Sequence, residues 1–150
     1  MSALQSGGPE ETRRLGEALG RAAEAGDVVL LSGELGAGKT VFVQGIARGL
    51  RFEGPVSSKS FVLLGEYAGR LVLYHADLYR LDSPDEVEEL ALEEISSGGV
   101  LVVEWPERGD VVLPEERLTL LFEVTGPETR RITAEATGGR ARALAEALGE

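Results

Sequence analysis

The 150-residue sequence contains no cysteine, one histidine and one tryptophan, and its only lysines are Lys39 and Lys59. A chain without cysteine has no disulfide, no thiolate metal site and no cysteine nucleophile. No apolar run approaches the roughly 20 residues that cross a bilayer, and the first eight residues lack the basic and apolar stretches of a leader peptide. We therefore expect a cytoplasmic protein that forms a single domain over residues 1–150.

Basic residues are also scarce, with 15 basic against 26 acidic residues and a formal net charge of −11. Proteins that bind nucleic acid directly neutralise backbone phosphates with lysine and arginine. We therefore expect any link to RNA or DNA to run through a partner protein.

Residues 33–40 read G-E-L-G-A-G-K-T, a complete G-x-x-x-x-G-K-T phosphate-binding loop. The apolar run at 27–32 is typical of a buried parallel strand, and the spacing of apolar residues at 41–50 predicts a helix. This setting disfavours the alternative, a glycine-rich turn with a solvated lysine. The predicted ligand is a nucleoside triphosphate with Mg²⁺, in which Lys39 reaches the β- and γ-phosphates and Thr40 offers its hydroxyl to the metal.

The remaining segments predict alternating strands and helices, then paired strands. Strands are predicted at residues 27–32, 61–67, 71–78, 100–103, 118–124 and 130–136, and helices at about 9–26, 41–50, 83–96 and the C-terminus. This order predicts an α/β fold of the P-loop NTPase type, a three-layer sandwich with a mixed, mainly parallel central sheet and antiparallel strands.

Two carboxylates end predicted strands at the edge where ligands bind in such sheets. Glu104 closes the apolar run at 100–103 and is predicted to hold Mg²⁺ directly or to orient water around it. Asp77 closes the run at 71–76 and is predicted to position the attacking water or to support the metal. For each, the alternative is an ordinary strand-end carboxylate.

Two unique side chains stand beside these acids. His75 is two residues from Asp77 and so shares its strand face, which favours an orienting or packing role over metal ligation. Trp105 follows Glu104 directly, and its position suits either a place beside the nucleotide or a core anchor. The spacing leaves both interpretations of Trp105 open.

Three segments in this order resemble the bacterial TsaE (YjeE) family: residues 33–40, the H-x-D-L-Y-R-L stretch beginning at His75, and the V-E-W-P-E stretch beginning at Val103. The last two are more specific to that family than the phosphate-binding loop, and the resemblance spans nearly the whole chain. It implies an ATPase required for making threonylcarbamoyladenosine in tRNAs that read codons beginning with A. It also implies action with TsaD and TsaB type proteins, TsaD being the catalytic subunit that transfers the threonylcarbamoyl group.

The resemblance also assigns roles to residues. It implies Lys39, Asp77 and Glu104 as the catalytic residues, Thr40 and Glu104 as the metal ligands, and ATP and Mg²⁺ as the cofactors. The nucleotide-binding residues are then Glu34, Leu35, Gly36, Ala37, Gly38, Lys39, Thr40, Val41 and Trp105. Hydrolysis is expected to be slow in the isolated chain, with a partner completing or releasing the site.

Two positions depart from the family pattern. Val41 replaces a second threonine after the loop, which removes a hydroxyl near the phosphates. Residues 58–61 read S-K-S-F where the family usually has Ser-Pro-Thr-Phe or Ser-Pro-Thr-Tyr, so the switch-like segment lacks its rigid proline but keeps a hydroxyl at Ser60.

Two other functions use the same loop. A small-molecule kinase passes the γ-phosphate to an acceptor, and it would need an acceptor pocket and an arginine-bearing lid, for which the sequence has no long insertion. A nucleotide-dependent binding module adopts a conformation that a partner recognises, without significant turnover.

Overall fold

The computed structural model describes residues 2–34, 36–56, 64–79, 81, 83–108 and 113–149. Within those ranges the helices are α1 (Pro9–Ala22), α2 (Lys39–Gly49), α3 (Pro84–Glu89), α4 (Leu92–Ile95) and α5 (Gly139–Leu148). The strands are β1 (Ser2–Ser6), β2 (Val28–Gly33), β3 (Leu64–Ala68), β4 (Val72–Asp77), β5 (Val100–Glu104), β6 (Arg117–Val124) and β7 (Arg130–Thr137).

The described strands form one sheet in the order β1-β7-β6-β2-β5-β4-β3. The four central strands, β6, β2, β5 and β4, are parallel to one another, while β1, β7 and β3 pair antiparallel with their neighbours. β2 and β5 are almost wholly buried, as the apolar runs at 27–32 and 100–103 predict. The predicted mixed sheet with a parallel centre is confirmed.

Helices cover both faces of the sheet, which gives the three predicted layers. On one face, α1, α2 and α5 enclose the larger core, with Leu19, Phe42 and Leu144 among its buried side chains. On the other, α3 and α4 cover a smaller core that includes Val87 and Leu92. Because β2 and β5 lie between the two cores, the loops at their C-terminal ends are anchored from both sides.

Glycines hold α1 and α2 close together. Gly16 and Gly20 are buried on the face of α1 that meets α2, and Gly45 and Gly49 are buried on α2. A methyl group on Gly16 would overlap the Phe42 carbonyl oxygen, and one on Gly45 would overlap that of Arg13. The absence of side chains at these positions therefore lets the two backbones touch.

Three elements differ from the predictions. β1, which pairs with β7 at the sheet edge, is not predicted by the sequence. α1 ends at Ala22 instead of near Gly26. The helix predicted over 83–96 is broken, because Ala91 has a left-handed backbone with φ 50° between α3 and α4. The prediction for residues 61–63 of the hairpin lies outside the described residues.

The break between α3 and α4 has a packing reason. Val87 and Leu92 are five residues apart, so a continuous helix would place them about 140° apart around its axis. In the structure both are buried in the smaller core. Turning the chain at Ala91 brings both side chains onto the sheet.

Among the described residues, the structure has no helix that combines the length and the apolar character needed to cross a membrane.

Candidate functional site

The phosphate-binding loop connects β2 to α2 at the C-terminal edge of the parallel strands. Gly36 and Gly38 have φ angles of 82° and 101°, a left-handed conformation in which a side chain would be strained. Within the loop the Ala37 N–H donates to the Glu34 carbonyl at 3.1 Å. The loop thus curls in front of the N-terminus of α2, where unpaired N–H groups favour an anion. Of the predicted contacts, Leu35 lies outside the described residues.

Lys39 folds back over this loop. Its Nζ donates to the Gly33 carbonyl at 2.7 Å and lies 4.1 Å from the centre of the Trp105 ring. Burial lowers the pKa of Lys39, although Glu104, Glu107 and Asp77 act in the opposite direction. The partners of Lys39 in the structure are therefore a backbone carbonyl and an aromatic ring, both of which are weaker partners for an ammonium group than a charged oxygen is.

Glu104 ends β5 inside the protein, where only 3% of it is exposed. Its Oε2 lies 2.6 Å from Nε2 of His75, which is also buried, on the neighbouring strand β4. The sequence favours an orienting or packing role for His75, and in the structure its ring contacts Glu104. A buried carboxylate needs such a partner, because an unpaired charge in the interior is costly.

Asp77 ends β4 directly opposite Glu104 in the parallel register. Its Oδ1 accepts the Tyr79 backbone N–H at 3.0 Å. Burial raises the pKa of Asp77 and the neighbouring Glu104 adds to the effect, while Tyr79, His75 and Lys39 act against it. A carboxylate with a raised pKa is a better proton acceptor than an ordinary aspartate, as expected for a general base.

Trp105 has a φ of 59°, rare for a side chain of this size. Its ring centre lies 4.8 Å from that of Tyr79, and the ring also covers Nζ of Lys39. Part of the ring packs against the smaller core. The sequence leaves open whether Trp105 is a core anchor or lies beside the nucleotide, and in the structure it both contacts the core and lies at the predicted site. Backbone strain of this kind is typical of functional sites.

One cavity of about 200 Å³ brings the predicted residues together. It is lined by Gly36, Gly38, Lys39, Thr40, Val41, Asp77, Glu104 and Trp105. A second cavity of about 280 Å³ lies on the other side of the loop and shares Gly36, Gly38 and Val41 with the first. The remaining lining residues of the second cavity are Pro9, Thr12, Pro127, Glu128 and Arg130.

A larger cavity of about 570 Å³ lies at the opposite end of the strands, between Glu93 and Ser96 on one side and residues 113–116 on the other. It contains none of the predicted site residues. Its size alone therefore gives no reason to place the site there.

The donors in the first cavity suit Mg²⁺. The hydroxyl of Thr40 and the carboxylates of Asp77 and Glu104 are oxygen ligands, which this cation prefers. Among the described residues, no three histidine, aspartate or glutamate side chains are grouped closely enough to hold a metal ion alone. A magnesium ion here would therefore take further oxygens from a bound phosphate and from water.

Sequence reasoning missed Arg130, which begins β7. Its Nε donates to the Ala37 carbonyl at 3.2 Å and its Nη2 donates to the Gly36 carbonyl at 3.2 Å. A signal for it exists in the sequence, because Arg130 is in phase with the inward-facing Ile132 and Ala134. A charged residue on the apolar phase of a strand indicates a specific partner.

Two parts of the sequence prediction concern residues that the structure does not describe. Residues 58–61, where the sequence departs from the family pattern, and Arg80 of the H-x-D-L-Y-R-L stretch lie outside the described residues. Val41, the other departure, lines both cavities that flank the loop.

Comparisons with known proteins agree on one family. The family model described as "Threonylcarbamoyl adenosine biosynthesis protein TsaE" matches residues 6–132. The tRNA threonylcarbamoyladenosine biosynthesis protein TsaE of Bacillus subtilis is 43% identical over 142 residues, which cover 93% of this chain and 89% of that protein. The protein of the same name from Treponema pallidum is 44% identical over 125 residues, 83% of this chain and 93% of its own.

A solved structure is similar over the whole chain. The crystal structure of YdiB from Bacillus subtilis superposes with a TM-score of 0.79 at 36% sequence identity, covering 99% of this chain and 93% of that chain. The described architecture is therefore that of a known fold.

Proposed function

The chain belongs to the TsaE family of tRNA threonylcarbamoyladenosine biosynthesis proteins, and we propose that it binds ATP with Mg²⁺ and hydrolyses the ATP in that pathway. One observation carries the proposal: Lys39, Thr40, Asp77 and Glu104 line a single cavity beside the phosphate-binding loop. A phosphate-binding lysine, a hydroxyl and two carboxylates are the groups that phosphoryl transfer to water requires.

In this proposal the two cavities that flank the loop hold different parts of ATP. The β- and γ-phosphates lie in the cavity that contains Lys39 and the two carboxylates. The adenosine part lies in the neighbouring cavity, lined by Pro9, Val41 and Pro127. Their combined volume, about 200 and about 280 Å³, falls within the range of roughly 300–1,000 Å³ for ligand pockets.

Binding of ATP would exchange the partners of Lys39. Its Nζ would leave the Gly33 carbonyl for phosphate oxygens, which are charged and so form the stronger hydrogen bonds. Since Nζ lies over the Trp105 ring, the same movement would change the surroundings of Trp105. Trp105 also lines the cavity that would hold the phosphates.

The two acids divide the chemistry. Thr40 and Glu104 would hold Mg²⁺, which neutralises charge on the phosphates. His75 keeps one oxygen of Glu104 in place. Asp77 would orient the attacking water and draw its proton while the water attacks the γ-phosphate, and ADP would leave from the opposite side.

The family and the net charge together support a proposal about partners. We propose that the chain acts with TsaD and TsaB type proteins and that tRNA is held by those partners. The net charge of −11 supports this division, because the chain carries an excess of acids that repel a phosphate backbone.

The test compares wild type with Lys39→Ala, using Arg14→Ala as a control that removes an exposed positive charge from α1. We expect Lys39→Ala to abolish ATP binding or turnover and to fail in a reconstituted tRNA modification reaction, while Arg14→Ala performs as wild type. Unchanged ATP hydrolysis by Lys39→Ala would refute the proposal.

Two further measurements on the wild-type protein would distinguish the other functions, a screen for phosphorylated acceptors and a modification reaction with a non-hydrolysable ATP analogue. A phosphorylated small-molecule acceptor in place of free phosphate would identify a kinase. Full modification with a non-hydrolysable ATP analogue would identify a nucleotide-dependent binding module.

A further inference from the structure

Arg130 connects two loops that flank one of the cavities. Its Nη1 donates to the carbonyls of Gly126 and Thr129 in the β6–β7 turn, at 3.1 and 2.8 Å. Its Nε and Nη2 donate to the carbonyls of Ala37 and Gly36 in the phosphate-binding loop, both at 3.2 Å. All four bonds end on backbone carbonyls. Arg130 is 94 positions from Gly36 and 93 positions from Ala37 in the sequence, so these bonds join distant parts of the chain across the cavity.

These bonds fix two successive peptide planes of the loop. In a trans peptide the carbonyl and the following N–H point in opposite directions. Because Arg130 holds the Ala37 carbonyl outside the loop, the Gly38 N–H is directed to the other side. The Gly36 carbonyl is held likewise, and the N–H of its plane, on Ala37, donates to Glu34 within the loop.

Arginine suits this task better than lysine. Its planar guanidinium carries several donors at fixed angles, so one side chain can hold carbonyls from two separate loops. Glycines at 36 and 38 leave the loop free to adopt other conformations, and such freedom has an entropic cost when the loop is ordered. The Arg130 bonds restrict that freedom before any ligand arrives.

We propose that Arg130 is a positioning residue that preorganises the phosphate-binding loop, by holding the Gly36 and Ala37 carbonyls so that the loop keeps its curled shape and the Gly38 N–H faces the incoming phosphates. This rests on the proposed binding of ATP at the loop. Arg130 itself touches the back of the loop and the β6–β7 turn, and its effect on the phosphates is exerted through the backbone.

The next residue provides a matched control. Arg131 lies on the opposite face of β7, is exposed, and donates to Glu123 at 3.1 Å. Arg131→Met therefore removes an arginine of the same strand without touching the loop. Arg130→Met removes all four bonds, and Arg130→Lys keeps the positive charge while losing the fork of donors.

The experiment has two measurements. Amide hydrogen exchange of the protein without nucleotide follows peptides that contain residues 36–40, with α5 peptides as an internal reference for the stability of the whole fold. Calorimetry measures the affinities for Mg–ATP and for Mg–pyrophosphate, a ligand without base or ribose.

We expect faster exchange in the loop peptides of both Arg130 variants, with α5 unchanged. Affinity for both ligands should fall about tenfold, equivalent to about 1.4 kcal/mol. Arg131→Met should match wild type in both measurements. Should Arg130→Met not fold, Arg130→Lys, which keeps the charge and the aliphatic stem, is judged by the same criteria.

Three results would overturn the proposal: wild-type loop exchange in the Arg130 variants, full recovery by Arg130→Lys, or a loss confined to ATP with pyrophosphate unaffected. The second would assign Arg130 a purely electrostatic role, and the third a role at the adenosine part. Failure of the wild-type protein to bind ATP would instead refute the proposed function, and loop exchange alone would then decide whether Arg130 orders the loop.

Discussion

His75 and Glu104 form a buried pair between adjacent parallel strands, with 2.6 Å between Nε2 of the ring and Oε2 of the carboxylate. Both side chains are less than 10% exposed. The pair lies where β4 and β5 end beside the phosphate-binding loop. One oxygen of Glu104 is thus held by the protein, which fixes the direction in which the carboxylate can act.

Removing the imidazole should leave Glu104 buried without this partner. We expect His75→Phe to lower the free energy of unfolding by about 1–3 kcal/mol, since an unsatisfied buried polar group costs about that amount. The Mg²⁺ concentration needed for half-maximal ATP binding should rise, because the carboxylate is no longer oriented. Urea unfolding and magnesium titrations measure the two effects.

His75→Gln separates orientation from packing. The glutamine amide can still donate a hydrogen bond toward Glu104, so this variant should recover most of the magnesium response. If His75→Phe binds Mg²⁺ and ATP as wild type does, the ring has only a packing role.

The two acids should affect turnover more than binding. We expect Asp77→Ala and Glu104→Ala to retain some ATP binding, since the loop and Lys39 are intact, while losing most hydrolysis; Glu104→Ala should also need more Mg²⁺, because it lacks a proposed metal ligand. Single-turnover assays at saturating ATP measure the chemical step separately from affinity. Normal hydrolysis by both variants would show that neither carboxylate takes part.

The raised pKa of Asp77 makes stability depend on pH in a defined direction. Burial disfavours the ionised carboxylate in the folded protein, so the wild type loses stability as pH rises from the ordinary aspartate pKa of about 3.9 through the raised value. Asp77→Asn cannot ionise and can still accept the Tyr79 N–H. The variant should therefore be more stable than wild type at neutral pH, by less than the roughly 1.4 kcal/mol that a full unit of pKa elevation would give, because Asp77 is only half-buried and solvent screens its charge.

That advantage should shrink as the pH falls and vanish well below about 4, where the wild-type carboxyl is protonated in both the folded and the unfolded state. Urea unfolding at a series of pH values measures it. A constant difference between Asp77→Asn and wild type at all pH values would mean that ionisation of Asp77 is not its cause.

The sequence predicts the parts of this protein that depend on strong local patterns. The runs at 27–32 and 100–103 are apolar because both faces of β2 and β5 are buried, so their identity and the position of Glu104 could be predicted. The phosphate-binding loop could be predicted because its glycines, Lys39 and Thr40 have a fixed spacing. Asp77 could be predicted as a candidate site residue because it ends an apolar strand.

Features that depend on distant contacts could not be predicted. β1 is short and carries little apolar character, and its strand conformation comes from pairing with β7. The break at Ala91 arises from the need to bury Val87 and Leu92 together. Arg130 contacts the phosphate-binding loop although it is 93 positions away from Ala37 in the sequence, and no local pattern identifies that partner. In each case the tertiary structure decides between local conformations that the sequence leaves open.

The interface between α1 and α2 shows the same limit, since glycine lowers helix propensity and yet is essential to the packing here. We expect Gly16→Ala and Gly45→Ala each to lower the free energy of unfolding by about 1–3 kcal/mol, because a methyl group would force the two backbones apart. Gly139→Ala is the matched control, with open space around it at the start of α5, and should be neutral or slightly stabilising.

α1 contributes Pro9 and Thr12 to one cavity and α2 contributes Lys39 to the other, so separating the helices should also weaken ATP binding. Urea unfolding and calorimetry test both effects, and a Gly16→Ala protein as stable as Gly139→Ala would show that the helices can separate without cost.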